Sequence, residues 1–138
     1  MSSRSFLDTN IFVYAFDVAD PRKQAIAQQV LSTTPDAAVS TQVMNEFYVA
    51  ATRKLAVPLP AATAAAVLEE MAKLVCVNVD SSLVLAAVEA GRTWQLSHWD
   101  ALMVAAARRA GCQRILTEDL AHGAIYDGVE VTNPFLTP

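Results

Sequence analysis

The sequence predicts an α/β fold, with helices packed on a mostly parallel sheet. Three observations carry that expectation. Short apolar segments of strand length recur along the chain, each followed by one or two stretches of helical periodicity. The hydrophobic fraction is 54% and the mean hydropathy +0.31, so the helices should be broadly apolar and packed against both faces of a sheet. The length, 138 residues, fits one domain, 1–138, large enough to bury a substantial core.

In order, Ser5-Phe6-Leu7 reads as the end of a buried strand, and polarity then switches abruptly to Asp8-Thr9-Asn10. Ile11, Phe12 and Tyr14 follow at spacings that suit a short helix. Asp8 has two readings. A carboxylate at the carboxyl end of an early strand sits where open α/β sheets hold ligands; Asp, Thr and Asn are also good helix N-caps. Asp17 and Asp20 read as turn and cap residues, with Pro21 opening a helix over 21–33 whose inward side is Ala25, Ile26, Val30 and Leu31. Residues 37–40 form a short buried strand. Ser40 or Thr41 caps a helix to about residue 55, on which Val43, Glu46, Phe47 and Ala50 share a face. Glu46 thus lies on an apolar stripe, where an unpaired charge is costly and calls for a cation, a proton or a metal. Arg53 and Lys54 suit the helix C-terminus.

Residues 56–60 are a Pro-containing connector, 60–74 an Ala-rich helix with Glu69, Glu70 and Lys73 on its wet side, and 75–79 an apolar strand. Asp80 caps a helix over 81–94 with Leu83, Val84, Ala87 and Val88 inward. Ser97-His98-Trp99-Asp100 opens a helix to Ala110, stopped by Gly111. Ser97 and Asp100 have capping-box spacing, yet Asp100 also shares a face with Met103, Val104 and Ala107 and points to the interior edge. His98 reads as an exposed first-turn residue or as a ligand or base, and Trp99 as core or rim packing. Residues 114–117 make another strand ending in Thr117-Glu118-Asp119, an echo of Asp8-Thr9. Residues 121–127 read as loop or short helix, and 129–132 as an edge strand.

Net charge −4 and a pI near 5.0 argue against a protein that coats nucleic acid through a general positive surface. They leave room for a nuclease, whose clustered carboxylates lower the net charge while a bound cation restores positive charge locally. No apolar run approaches the roughly 18–20 residues that span a bilayer, and Met1 to Arg4 do not open a signal peptide, so the expected location is cytoplasmic. Cys76 and Cys112 lack zinc-site spacing and read as buried free thiols.

In a parallel sheet all strands end on one side, where the following helices begin. Asp8 and Asp119 at strand ends, Glu46 one turn into a helix and Asp100 in a first turn can therefore converge on one edge. Four like charges at close range raise one another's pKa. Such an oxygen-rich site suits Mg²⁺ or Mn²⁺, and the chemistry it implies is metal-assisted attack of water on a phosphodiester.

The ordered segments Phe6-Leu7-Asp8-Thr9-Asn10, Asn45-Glu46-Phe47, His98-Trp99-Asp100-Ala101 and Leu116-Thr117-Glu118-Asp119-Leu120 resemble the motifs of PIN-domain ribonucleases, and within them the VapC-like toxins. The resemblance runs from Ser5 to Asn133-Pro134-Phe135. It implies a three-layer α/β/α sandwich with a five-stranded parallel sheet and an acidic quartet, Asp8, Glu46, Asp100 and Asp119, binding Mg²⁺ or Mn²⁺. Thr9, Asn10 and Thr117 become its supporting polar groups, and Glu118, adjacent to Asp119, points elsewhere. It further implies RNA as substrate, 5′-phosphate and 3′-hydroxyl ends, a homodimer and a cognate antitoxin. Arg22, Lys23, Arg53, Lys54, Arg108 and Arg109 are candidate groove cations. The alternatives are a non-catalytic PIN-like module that binds RNA or protein, and a phosphatase using Asp8 as nucleophile. The latter is disfavoured because Asn10 stands where a second Asp is required.

Overall fold

In a computed structural model that describes residues 3–136, the chain alternates strands and helices as expected. Met1, Ser2 and the last two residues lie outside the described part, so the reading of the N-terminal stretch is addressed only from Ser3 onward. Strand β1 (Ser5–Leu7) leads through α1 (Thr9–Tyr14) and α2 (Pro21–Thr33) to β2 (Ala37–Ser40). Helices α3 (Thr41–Arg53) and α4 (Ala61–Ala72) lead to β3 (Val75–Val77), and α5 (Ser81–Trp94) and α6 (His98–Arg109) to β4 (Arg114–Leu116). A hairpin of β5 (Ile125–Tyr126) and β6 (Val129–Thr132) ends the chain.

The sheet order is β3-β2-β1-β4-β6-β5, with every pairing parallel except β5 with β6. From β1 the chain steps outward to β2 and β3, then crosses back to β4 on the other side of β1. Helices α1 to α4 pack among themselves, and α5 packs on α6 as a separate pair. Right-handed crossovers place those two groups on opposite faces, which gives the three layers. The central strands are buried on both faces: all three residues of β1 and all four of β2 are inaccessible. Such strands read as short apolar runs without alternation.

Three sequence expectations are corrected. The sheet has six strands, not five, and residues 129–132 are not its edge. The edge is β5, which reaches β6 through an Asp127-Gly128 turn with φ of 51° and 80° at its two residues. Positive φ at both positions is the geometry that a two-residue hairpin turn requires. The strand expected over 75–79 stops at Val77, because the Val79 amide donates to the Thr41 hydroxyl (3.1 Å). Helix faces also shift: Ala27, not Ala25, is the buried alanine of α2, and Val84 and Val88 are exposed on α5, whose buried line is Leu83, Ala87 and Ala90.

Helix starts follow local chemistry. Asp20, Ser40, Asp80 and Ser97 each accept a backbone N–H three residues on, at 3.1, 3.3, 2.9 and 3.2 Å. These are N-caps that satisfy otherwise orphaned donors. Cys112 is buried and Cys76 half-buried, both as free thiols.

Candidate active site

Strands β1 and β4 are parallel neighbours on either side of the point where strand order reverses, the place at which open α/β sheets leave a crevice. The chain leaves both strands there. The Asp8 amide donates to the Leu116 carbonyl (3.1 Å), extending the pairing by one residue before the two chains part. Asp8 is only 8% exposed. One of its carboxylate oxygens caps α1 by accepting from the Thr9 amide (2.6 Å), and the other accepts from the Thr117 hydroxyl (2.7 Å). Asp8 therefore caps α1 and, at the same time, stands at the sheet edge beside the crevice. The fully buried Thr117 hydroxyl also accepts the Asp119 amide (3.0 Å), so one side chain ties the two strand ends together. Asn10 Nδ2 lies 3.5 Å from an Asp8 oxygen and 3.3 Å from an Asp119 oxygen, and donates to both.

Glu46 and Asp100 arrive from the helices. Helix α3 buries Val43, Phe47 and Ala51 against the core. Glu46, beside Phe47, is not buried with them but opens at the mouth of the crevice, which is how the chain avoids an unpaired charge in its interior. Asp100 sits in the first turn of α6, and its amide donates to Ser97. Asp8, Glu46, Asp100 and Asp119 together line one pocket of about 210 Å³, with Gln42 and Trp99 in its wall. Four carboxylates from four separate segments of the sequence thus meet.

Burial and mutual repulsion set their acidity. Asp8 is raised from 3.8 to about 6, chiefly by desolvation, which outweighs the hydrogen bonds from Thr117 and Thr9; Asp119 and Glu46 add repulsion. Asp119 and Glu46 are also raised, desolvation first in each case, with Asp100 repelling both. Lys54 pulls the other way on Glu46. Among the described residues no three Asp, Glu, His or Cys side chains stand close enough together, as they are placed, to hold a metal ion. The donors nonetheless fit a hard cation that keeps part of its water shell, as Mg²⁺ does. All are oxygens, and the Asn10 Oδ1, Gln42 Oε1 and Thr9 Oγ1 atoms around them are buried without a hydrogen-bond partner.

The PIN domain family model matches residues 5–127, which is most of the chain. The chain belongs to the PIN domain family. Among curated proteins none matches it by sequence. Among solved structures, a toxin–antitoxin complex from Klebsiella pneumoniae is similar at 21% identity and a TM-score of 0.70, over 94% of this chain and 97% of that one. VapC20 of Mycobacterium tuberculosis, described as a Sarcin-Ricin loop cleaving toxin, is similar at 24% identity and TM-score 0.63, over 80% and 86%. VapBC2 of Rickettsia felis, bound to a DNA fragment from its promoter, is similar at 14% identity and TM-score 0.63, over 94% and 98%. At these identities the likeness establishes a common fold.

Other residues of this PIN domain fall on either side of the sequence expectations. Glu118 points away from the pocket, as expected of a neighbour of Asp119: it accepts from the Tyr14 hydroxyl and from Lys23 Nζ (2.9 Å). That engagement accounts for Lys23 as an internal tie, and Arg22 donates to the Phe135 carbonyl (2.6 Å). Arg108 and Arg109 pair with Asp127 (3.3 Å) and Asp80 (2.9 Å). Of the candidate cations only Lys54 lines the crevice, in a lobe of about 560 Å³ shared with Asp8, Tyr14, Glu46 and Asp119. His98 lines a different hollow, with Ala87 and Leu96, and its ring touches Trp99 edge-on (5.5 Å between centroids). Trp99 is rim, not core. Gln42 was not anticipated, although it lies one helical turn before Glu46 and on the same face, a spacing visible in the sequence.

Proposed function

We propose that this PIN domain is a metal-dependent endoribonuclease, the toxin of a toxin–antitoxin pair. The observation that carries the proposal is the meeting of Asp8, Glu46, Asp100 and Asp119 in one pocket at the switch point of the sheet. In this reading those four carboxylates hold Mg²⁺ or Mn²⁺, with Thr9, Asn10 and Thr117 in support. Bound there, the cation supplies a water of lowered pKa and neutralises charge on the phosphate.

The chain's own groups do the rest. The Thr117 hydroxyl and the Thr9 amide fix both oxygens of Asp8 in one orientation. Asn10 holds Asp119 beside it, so the pair is positioned before substrate arrives. The raised pKa values of Asp8, Glu46 and Asp119 mean that this cluster holds protons more tightly than free carboxyls do and would release them to a bound cation. Hydrolysis at this site leaves a 5′-phosphate and a 3′-hydroxyl. The structural relatives support the biological assignment, since they include a toxin that cleaves the Sarcin-Ricin loop and toxins bound to antitoxins. By the same reading the chain forms a homodimer, meets a cognate antitoxin and works in the cytoplasm. No helix among the described residues is long and apolar enough to cross a membrane.

The test is cleavage of a mixed RNA panel by purified protein with Mg²⁺ or Mn²⁺, beside EDTA and Asp100→Asn controls, with end-group analysis. Metal-dependent cutting that leaves 5′-phosphates and vanishes in the variant is expected. Cutting that survives both controls would overturn the assignment, as would a protein that neither cuts RNA nor binds Mn²⁺.

A further inference from the structure

Beside the acidic pocket runs a second groove of about 570 Å³, between the start of α3, Val79 and the start of α6. Its volume falls in the range, roughly 300–1,000 Å³, of sites that seat small organic groups. Gln42, Glu46 and Trp99 line both cavities, so the groove and the pocket adjoin. Trp99 is 66% exposed, and an indole so placed leaves a large apolar face in water. The groove floor is apolar (Val79, Leu102) and its walls carry amides (Gln42, Asn45).

Charge decides what fits. Among the described residues, the only charged side chain lining this groove is Glu46, whereas Lys54 belongs to the opposite lobe. A phosphate in the groove would be repelled, but an uncharged heterocycle would not. The Gln42 side chain lines the groove beside Glu46, and its Oε1 atom has no partner within the protein; a turn of that side chain would offer it to a ring or exocyclic N–H. An aromatic platform with one amide acceptor is how unpaired bases of single-stranded RNA are held.

We propose that this groove is a nucleobase subsite: Trp99 stacks one unpaired base of the RNA next to the scissile phosphate, and Gln42 reads its N–H edge. The proposal rests on the nuclease reading and adds to it where the substrate lies. The chain crosses the pocket with a base on the Trp99 side and its backbone toward Lys54.

The experiment uses the full chain carrying Trp94→Phe, which leaves Trp99 as the single indole of a protein with two. In an added Asp8→Asn background, short oligo-A, oligo-C and oligo-U are titrated while indole fluorescence is followed. Kinetics of Trp99→Ala, Trp99→Phe and Gln42→Ala are measured on the same RNAs. Quenching is expected. Trp99→Ala should lower kcat/KM roughly 5- to 100-fold, the span of a single stacking contact. The loss should fall mainly in KM, Trp99→Phe should recover most of it, and Gln42→Ala should change the ranking of the bases. Absence of quenching with unaltered kinetics in Trp99→Ala overturns the subsite. So does an unchanged KM with a shift in sedimentation, which would make the face a protein contact. If the wild-type protein cuts no RNA, the nuclease reading fails separately, and quenching alone then supports or overturns the base subsite.

Discussion

Asp8 is held in a place that suits its hydrogen bonds and opposes its charge. Burial raises it to about 6 against 3.8 for the ordinary side chain, so the folded protein holds the Asp8 proton more tightly than the unfolded chain does. The sign follows from linkage. Stability from this group is fully present below the unfolded value and is lost as pH rises through the folded one. Without metal, the protein should therefore be less stable at about pH 8 than at about pH 5, by about 1 kcal/mol from this residue. Asp8→Asn keeps a good N-cap and removes the charge. Thermal melts in EDTA should show the variant more stable than wild type at the higher pH, by a smaller margin at about pH 5, and level with it only below about pH 4. Mn²⁺ should stabilise wild type and not the variant, and cleavage should be lost. A variant that melts below wild type at high pH would contradict this account. Thr117 offers a second test, since its buried hydroxyl serves Asp8 and the Asp119 amide at once. Thr117→Val should cost roughly 10- to 100-fold in activity, as outer-shell partners of a metal site typically do. Thr117→Ser, which keeps the hydroxyl, should restore most of it.

At the scale of the element, cap chemistry made the helices legible and set how far legibility went. Asp20-Pro21, Asp80-Ser81 and Ser97 with Asp100 announced their helices, because a side-chain oxygen placed to accept an orphaned N–H is a local signal. The hairpin at the end of the chain was read as loop plus edge strand, although Asp127-Gly128 between Tyr126 and Val129 is a strong short-range hairpin signal. Helix faces were read less well than helix ends. Val84 and Val88 are as apolar as Leu83 and Ala87, and only the neighbouring α6 decides which line is covered. The caps also permit a controlled comparison. Asp20→Ala and Ser97→Ala each remove one cap, at about 1 kcal/mol of stability apiece. Only Ser97 holds the turn that carries Asp100, so only Ser97→Ala should also depress cleavage when both variants are assayed well below their Tm. Equal activity in the two would show that the α6 cap does nothing for the site.

For the whole molecule, the convergence of carboxylates was legible because topology enforces it: parallel strands end together, and residues just past those ends must meet whatever lies between them in sequence. What surrounds the cluster was not legible. Trp99 and Val79 line one lobe and Lys54 the other, and these neighbours come from elements whose spacing no local pattern encodes. The same holds for the cations. Six basic residues are candidates, but five are engaged elsewhere or lie outside the crevice, leaving Lys54 as the one that lines it beside the carboxylates. With a net charge of −4 the chain as a whole has the same sign as a phosphate backbone, so for the proposed RNA substrate one well-placed cation should weigh heavily. Lys54→Ala should lower kcat/KM roughly three- to ten-fold at low salt and flatten the dependence of log affinity on log salt by about 0.7, one phosphate contact on a single strand. Arg53→Ala is the control, because Arg53 and Lys54 both sit at the C-terminal end of α3 and both complement its dipole. A change in stability shared by the two variants reports that dipole. A change in salt slope confined to Lys54→Ala reports contact with RNA, and an identical slope in both would remove Lys54 from the groove.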